Sequence, residues 1–267
     1  MVCNGDVLTE LDLTALVRFH DERAAEATIS LARVAEPSAF GVVPTGDDGE
    51  VEAFVEKPLA GRAPTDWINA GTYVLEPSVL ARIPTGASVS IERETFPSLL
   101  DRPRQLFAYR SDAYWLDIGT PEKYLEAHAD VLAGRLGPAS LPGDAAEQSP
   151  GVWCQGEVSI ATEARVEPPV LLGPGASIGA GAHVTGSVLG AGCTVEHGAR
   201  VLRSVLFDRA RLHPESEAID AVIGPDAELE RGGSASDLTL VGSGAVVAAG
   251  ARVAGARIHV PDAPAAR

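Results

Sequence analysis

The chain has 267 residues, 45% hydrophobic and 22% charged, with a formal net charge of −16. That composition excludes a wholly disordered chain, and no apolar run approaches the ~20 residues of a membrane helix. A field of this sign repels phosphate backbones, so no nucleic-acid partner and no membrane partner are expected.

Taken in chain order, residues 1–133 mix helix and strand signals. Leu13, Leu16, Val17 and Ala24 recur at helical spacing, with Thr9 or Asp12 as the cap. Thr28 to Val34 alternates like a half-buried strand. Gly41-Val42-Val43, the turn Gly46-Asp47-Asp48-Gly49, then Val51, Ala53 and Val55 read as a β-hairpin. Ile68 to Leu75 reads as a strand stopped by Pro77, and Pro121 to Leu132 as a helix capped by Thr120. Alternating strands and helices point to an α/β layer. Residues 134–155 open on a Gly/Pro/Ser-rich stretch and read as a linker.

Residues 156–260 repeat. Ile160, Val166, Leu172, Ile178 and Val184 are six apart, and the phase then restarts at Leu189. A second period lies above the first: Leu172, Leu189, Leu206 and Ile223 are 17 apart, and Val241 follows 18 later. Gly173, Gly190, Gly224 and Gly242 come next to these aliphatics, as though marking turns. The two periods together define a parallel β-helix of hexapeptide repeats, with about five stacked coils. Residues 261–267 read as a tail.

Several residues can carry chemistry. Asn4-Gly5-Asp6 follows an apolar pair, and Asp117 ends Trp115-Leu116. Each aspartate reads equally as a strand-end ligand or as a turn residue. Two such carboxylates can share a Mg²⁺ together with substrate phosphates. Lys57, in Phe54-Val55-Glu56-Lys57-Pro58, is one of only two lysines among 21 basic residues; Lys123 is the other and reads as an exposed helix residue. A strand-end lysine can neutralise a phosphate, or form a solvated pair with its neighbour Glu56. Asn69, inside an apolar strand, needs a partner, and the following Ala70-Gly71 lets a ligand or neighbouring backbone approach. The six histidines show no zinc pattern. The three cysteines, Cys3, Cys154 and Cys193, are too few and too far apart for a disulfide framework. With no signal-peptide pattern at Met1–Asp6, the expected location is cytoplasmic.

The stretches NGDVLTELDL, EATISLARVAEPSAFGVVP, VEAFVEKP, INAGTYVLEPSVL, SIERETFPSLL and YWLDIGTPEKYLEAH occur in order over residues 2–128. Together they resemble the sugar-nucleotide pyrophosphorylases, a nucleotidyltransferase family, and within it the mannose-1-phosphate guanylyltransferases. The resemblance implies a partial Rossmann-like nucleotidyltransferase domain followed by a left-handed β-helix. It implies that Asp6 and Asp117 hold a catalytic Mg²⁺, that Lys57 is catalytic by binding the sugar-1-phosphate, and that Glu56 takes the sugar hydroxyls. Asn4, Gly5, Gly41, Asn69 and Gly71 are then further substrate-binding residues. The implied substrates are a sugar-1-phosphate and a nucleoside triphosphate, giving GDP-mannose and pyrophosphate. The family's G-x-G-T-R-x-R-P loop does not occur in this sequence. The expectation is therefore that the nucleotide-binding half is missing ahead of Asn4, and that this chain by itself turns over little substrate. Three other readings stay open: a glucose-1-phosphate thymidylyltransferase-like enzyme, a non-catalytic binding or regulatory chain, and a hexapeptide acyltransferase using His183, His197 or His213. The β-helix is expected to build a homo-oligomer.

Overall fold

In a computed structural model, which describes residues 1–102, 104–137 and 140–260, the chain divides into two compact units, Met1–Asp117 and Ile118–Arg267. The boundary lies ahead of the one read from composition at residue 133. The expected tail, 261–267, lies outside the described residues.

The first unit is built on a mixed sheet. Its strands are β1 (Val2–Cys3), β3 (Ala27–Arg33), β4 (Gly41–Val42), β5 (Val55–Glu56), β6 (Trp67–Leu75) and β7 (Leu106–Ser111), in the order β5-β4-β6-β3-β7 with β1 also on β6. β3 is antiparallel to β6 and parallel to β7. A second ribbon pairs β2 (Val7–Thr9) with β8 (Trp115–Asp117). Strand β3 is not half-buried as its alternation suggested. Ala27 to Ala32 are all buried, because Thr28 and Ser30 face covered surfaces as well as the aliphatics. Position in mid-sheet overrides the pattern of polarity.

Helix α1 (Leu13–Arg23) starts where the Asp12 side chain accepts from the Ala15 N–H at 2.9 Å. It ends where Ala24 turns left-handed at φ 48°. Two short helices, α2 (Pro77–Leu80) and α3 (Phe96–Leu99), follow. Between them Ile91–Thr95 forms one wide π-type turn. Ile29, Leu31, Tyr73, Val79, Phe96 and Leu106 are among the residues of the unit's main core.

The second unit opens with α4 (Pro121–Leu132), with Thr120 as the cap. The segment expected as a linker contains two strands, β9 (Ala145–Ser149) and β10 (Val152–Gln155), paired antiparallel. β10 then runs parallel to Arg165–Leu172 as the first course of the solenoid. The rest is a parallel β-solenoid. One of its sheets has six rungs, at residues 159–160, 177–178, 194–195, 211–212, 228–229 and 246–247, one more than the 17-residue period counted from Leu172. Ile178, Val195, Leu212, Leu229 and Val247 stack in register down this sheet and are buried.

The glycines after the aliphatic column have a different role from the one expected. Gly173 is not left-handed; a Cβ on it would lie 2.6 Å from the Gly190 carbonyl carbon of the next coil. Glycine there permits close stacking. The left-handed corners sit two residues on, at Gly175, Gly192, Arg209, Asp226 and Gly244. Arg209 and Asp226 adopt φ 59° and 57° where their neighbours in the column are glycine. The two side chains form a fork at 2.6 and 2.7 Å between coils. A parallel column places Gly186, Arg203, Asp220 and Asp237 in the same conformation, with Arg203 forked onto Asp220. Each pair ties one such corner to the next coil.

Candidate active site

Strand pairing alone brings the two aspartates to one place. β2 and β8 are antiparallel with Val7 opposite Asp117. Asp6 immediately precedes Val7, so both carboxylates come to the same end of the ribbon. Cys3 of β1 pairs with Thr72 of β6, and the Asn4 N–H donates to the Gly71 carbonyl at 2.8 Å. The Asn-Gly-Asp turn is therefore fastened to the middle of the main sheet.

A cavity of about 250 Å³ opens here, and its lining includes Asn4, Asp6, Gly41, Glu56, Lys57, Asn69, Gly71 and Asp117. Of the nine residues that the resemblance assigns to metal or substrate, only Gly5 is outside the lining; nothing lies within 4 Å of where its Cβ would be. Two of the glycines are required by contact. A Cβ on Gly41 would lie 2.9 Å from the Phe54 ring and 3.0 Å from Glu56 Oε2. Gly71 has φ +75°, and a Cβ there would lie 2.7 Å from Asn4 Nδ2.

Lys57 has φ 46°, a conformation that a non-glycine residue ahead of a proline rarely takes. Its N–H donates to the Phe40 carbonyl at 3.1 Å, at the end of the β4–β5 pairing. Strain of this kind concentrates where a side chain must be aimed. Four carboxylates, Asp6, Glu56, Glu92 and Asp117, share the lining with this one lysine. The cavity is thus acidic, and a phosphate entering it needs a cation as well as Lys57.

The donor set fits a hard divalent cation. Asp6 and Asp117 offer oxygen ligands, and no group of three or more His, Cys, Asp or Glu able to hold a metal occurs among the described residues. A pair of carboxylates of this kind suits Mg²⁺, which takes its other ligands from water and phosphate.

Glu56 Oε2 is buried with no hydrogen-bond partner in the structure. A buried carboxylate oxygen in a cavity wall, with nothing to accept from, is suited to a hydroxyl donor. The other oxygen is 3.7 Å from Arg93 Nη2. Asn69 is buried, as its place in the strand implied, and its partners are Gly71, Tyr73 and Glu92.

Glu92 and Trp115 also line the cavity, though sequence reasoning gave neither a role. The Trp115 indole N–H donates to the Ala70 carbonyl at 2.9 Å, and its ring meets Phe40 edge-on at 5.5 Å. The signal for Trp115 was its place two residues before Asp117; that for Glu92 was the polar run Ser90-Ile91-Glu92-Arg93-Glu94.

The solenoid histidines form no comparable site. His183 bonds Glu167 at 2.9 Å and His213 bonds Glu228 at 2.7 Å, each as part of a ladder of acid–base pairs between coils.

Comparison with known proteins gives two family matches. Residues 1–134 match the Nucleotidyl transferase model, and residues 149–263 match the GMPPB C-terminal domain model. The chain is 42% identical over 196 residues to a mannose-1-phosphate guanylyltransferase of Mycobacterium tuberculosis, covering 71% of this chain and 51% of that protein. It is 34% identical over 242 residues to a UTP–glucose-1-phosphate uridylyltransferase of Synechocystis, covering 89% and 62%. It is 36% identical over 193 residues to a probable mannose-1-phosphate guanylyltransferase of Oryza sativa, covering 70% and 50%. The chain thus spans about half to three-fifths of the length of these curated relatives.

Proposed function

The chain belongs to the nucleotidyl transferase family, and from that premise we propose that its first unit binds a hexose-1-phosphate for transfer to a nucleotide. Mannose-1-phosphate and GTP are the substrates favoured, because two of the three relatives described above carry the guanylyltransferase name, including the one 42% identical to this chain. The observation that carries the reading is the shared cavity of Asp6, Asp117, Lys57 and the unpartnered Glu56 oxygen.

In this reading the Lys57 ammonium pairs with the sugar phosphate, and Glu56 accepts from the sugar hydroxyls. An oxygen of that phosphate attacks the α-phosphorus of the triphosphate. The new P–O bond forms as the bond to the β-phosphate oxygen breaks, and pyrophosphate leaves with the electron pair. The attacking oxygen is already anionic, so no general base is needed; the residues act by positioning and charge. Asp6 and Asp117 would hold Mg²⁺, which when bound neutralises phosphate charge. We also propose a cytoplasmic location and a homo-oligomer assembled through the solenoid. No described helix is long and apolar enough to cross a membrane.

Titration of the chain with mannose-1-phosphate, mannose and inorganic phosphate, each with Mg²⁺, tests the reading. Saturable binding of mannose-1-phosphate, tighter than of either fragment, is expected. Equal or absent binding of all three overturns it.

A further inference from the structure

The cavity contains a second glutamate, on a different element from Glu56. Glu92 lies in the wide turn Ile91–Thr95 and is part of the same lining. Its Oε1 accepts from Asn69 Nδ2 at 2.6 Å and lies 3.5 Å from the Tyr73 hydroxyl.

These bonds decide what Asn69 can do. Its Oδ1 accepts from the Gly71 N–H at 3.0 Å. Its Nδ2 donates to the Tyr73 hydroxyl at 2.9 Å and to Glu92. A primary amide has two hydrogens, and both are engaged. Asn69 therefore offers a ligand no donor, only a remaining lone pair. Tyr73 is 2% exposed, and burial, together with the Glu92 charge, pushes its hydroxyl up to about 12. What this end of the cavity presents is a set of acceptors, two of them carboxylates.

We propose that Glu56 and Glu92 together read the sugar end of the substrate as two anionic hydroxyl acceptors, and that Glu92 makes the site reject hexoses bearing a second anionic group. This rests on the hexose-1-phosphate reading above and narrows it to neutral hexoses. Hydroxyls donate to carboxylates in strong, charge-assisted bonds. A uronate or a second phosphate in the same place meets two like charges. The Arg93 side chain is 66% exposed and stands 3.7 Å from the Glu56 carboxylate, a loose pair that water screens.

The test is calorimetric titration of the wild-type chain, Glu92→Gln and Glu92→Asp, in Mg²⁺, with α-mannose-1-phosphate and with mannose-1,6-bisphosphate. Glutamine keeps an oxygen that can accept from Asn69 and removes only the charge. Aspartate keeps the charge on a shorter stem, and melting curves establish that each variant is folded. The wild type is expected to prefer the monophosphate. In Glu92→Gln its affinity should fall about tenfold or more, the scale of one charge-assisted bond. The preference over the bisphosphate should shrink in Glu92→Gln and persist in Glu92→Asp. A Glu92→Gln chain that binds both ligands as the wild type does overturns the inference and leaves the hexose-1-phosphate reading standing. A wild type that binds neither ligand overturns both.

Discussion

Replacing Glu56 by leucine should stabilise the empty protein and abolish its response to ligand. Glu56 Oε2 is buried without a partner, and an unsatisfied buried acceptor costs about 1–3 kcal/mol. The return is small: Arg93 stands 3.7 Å from the other oxygen with a side chain 66% exposed, and such pairs contribute at most about 1 kcal/mol. The balance is a cost on the order of 1 kcal/mol in the unliganded state, met only when a hydroxyl arrives. Leucine has no polar atom to orphan and can pack beside Phe54, whose ring already lies close to Gly41. For a unit of this size ~1 kcal/mol corresponds to roughly 4 °C in melting temperature. The wild type, saturated at about 100 times its dissociation constant, should gain ~2.7 kcal/mol from ligand. Scanning calorimetry of both proteins with and without mannose-1-phosphate and Mg²⁺ measures both effects. The variant should melt higher than the wild type when empty and shift little on adding ligand. If it melts lower when empty and shifts as much as the wild type, Glu56 is not a ligand-satisfied acceptor, and the reasoning fails.

Other outcomes follow from the same geometry. Gly173→Ala should destabilise the solenoid by about 1–3 kcal/mol in urea unfolding, because the new methyl meets Gly190 backbone at 2.6 Å and not a side chain that can move. In a thiol-reagent time course, exposed Cys3 should react in the native protein, whereas Cys154 and Cys193 should wait for unfolding; burial of Cys193 raises its thiol to about 11. Burial also holds His128 below the ordinary histidine value. The unfolded chain therefore binds a proton that the folded chain does not, and stability should fall as pH drops through about 6.5. The fall should be smaller in His128→Gln, measured by melting temperature between pH 7.5 and 5.5.

The solenoid was readable because each coil repeats the same burial. Leu172, Leu189, Leu206 and Ile223 recur with the coil, and each is buried. The purpose of its glycines was not readable. Gly173 serves close stacking, and the left-handed corners include arginine and aspartate, which no turn rule favours as strongly as glycine. In the first unit, helix α1 announced itself through Asp12 and its apolar spacing. Strand β3 misled, since Thr28 and Ser30 look like solvent-facing positions but are buried in mid-sheet. The candidate site was legible where short motifs carry chemistry, as at Asp6, Glu56, Lys57 and Asp117. The meeting of Asp6 with Asp117 depends on the β2–β8 register, which joins residues 110 positions apart and has no local signal. Glu92 was hidden for a similar reason: what marks it is its bond to Asn69, 23 positions away.

The most direct test of the account is the affinity of this chain for mannose-1-phosphate in Mg²⁺, compared between the wild type and Lys57→Met. If the cavity is a sugar-phosphate site, the wild type binds one molecule per chain. Removing the one lysine among four carboxylates should then weaken binding about tenfold or more without lowering the melting temperature. Equal affinity in the two proteins would contradict the placement of the phosphate at Lys57 and with it the central claim.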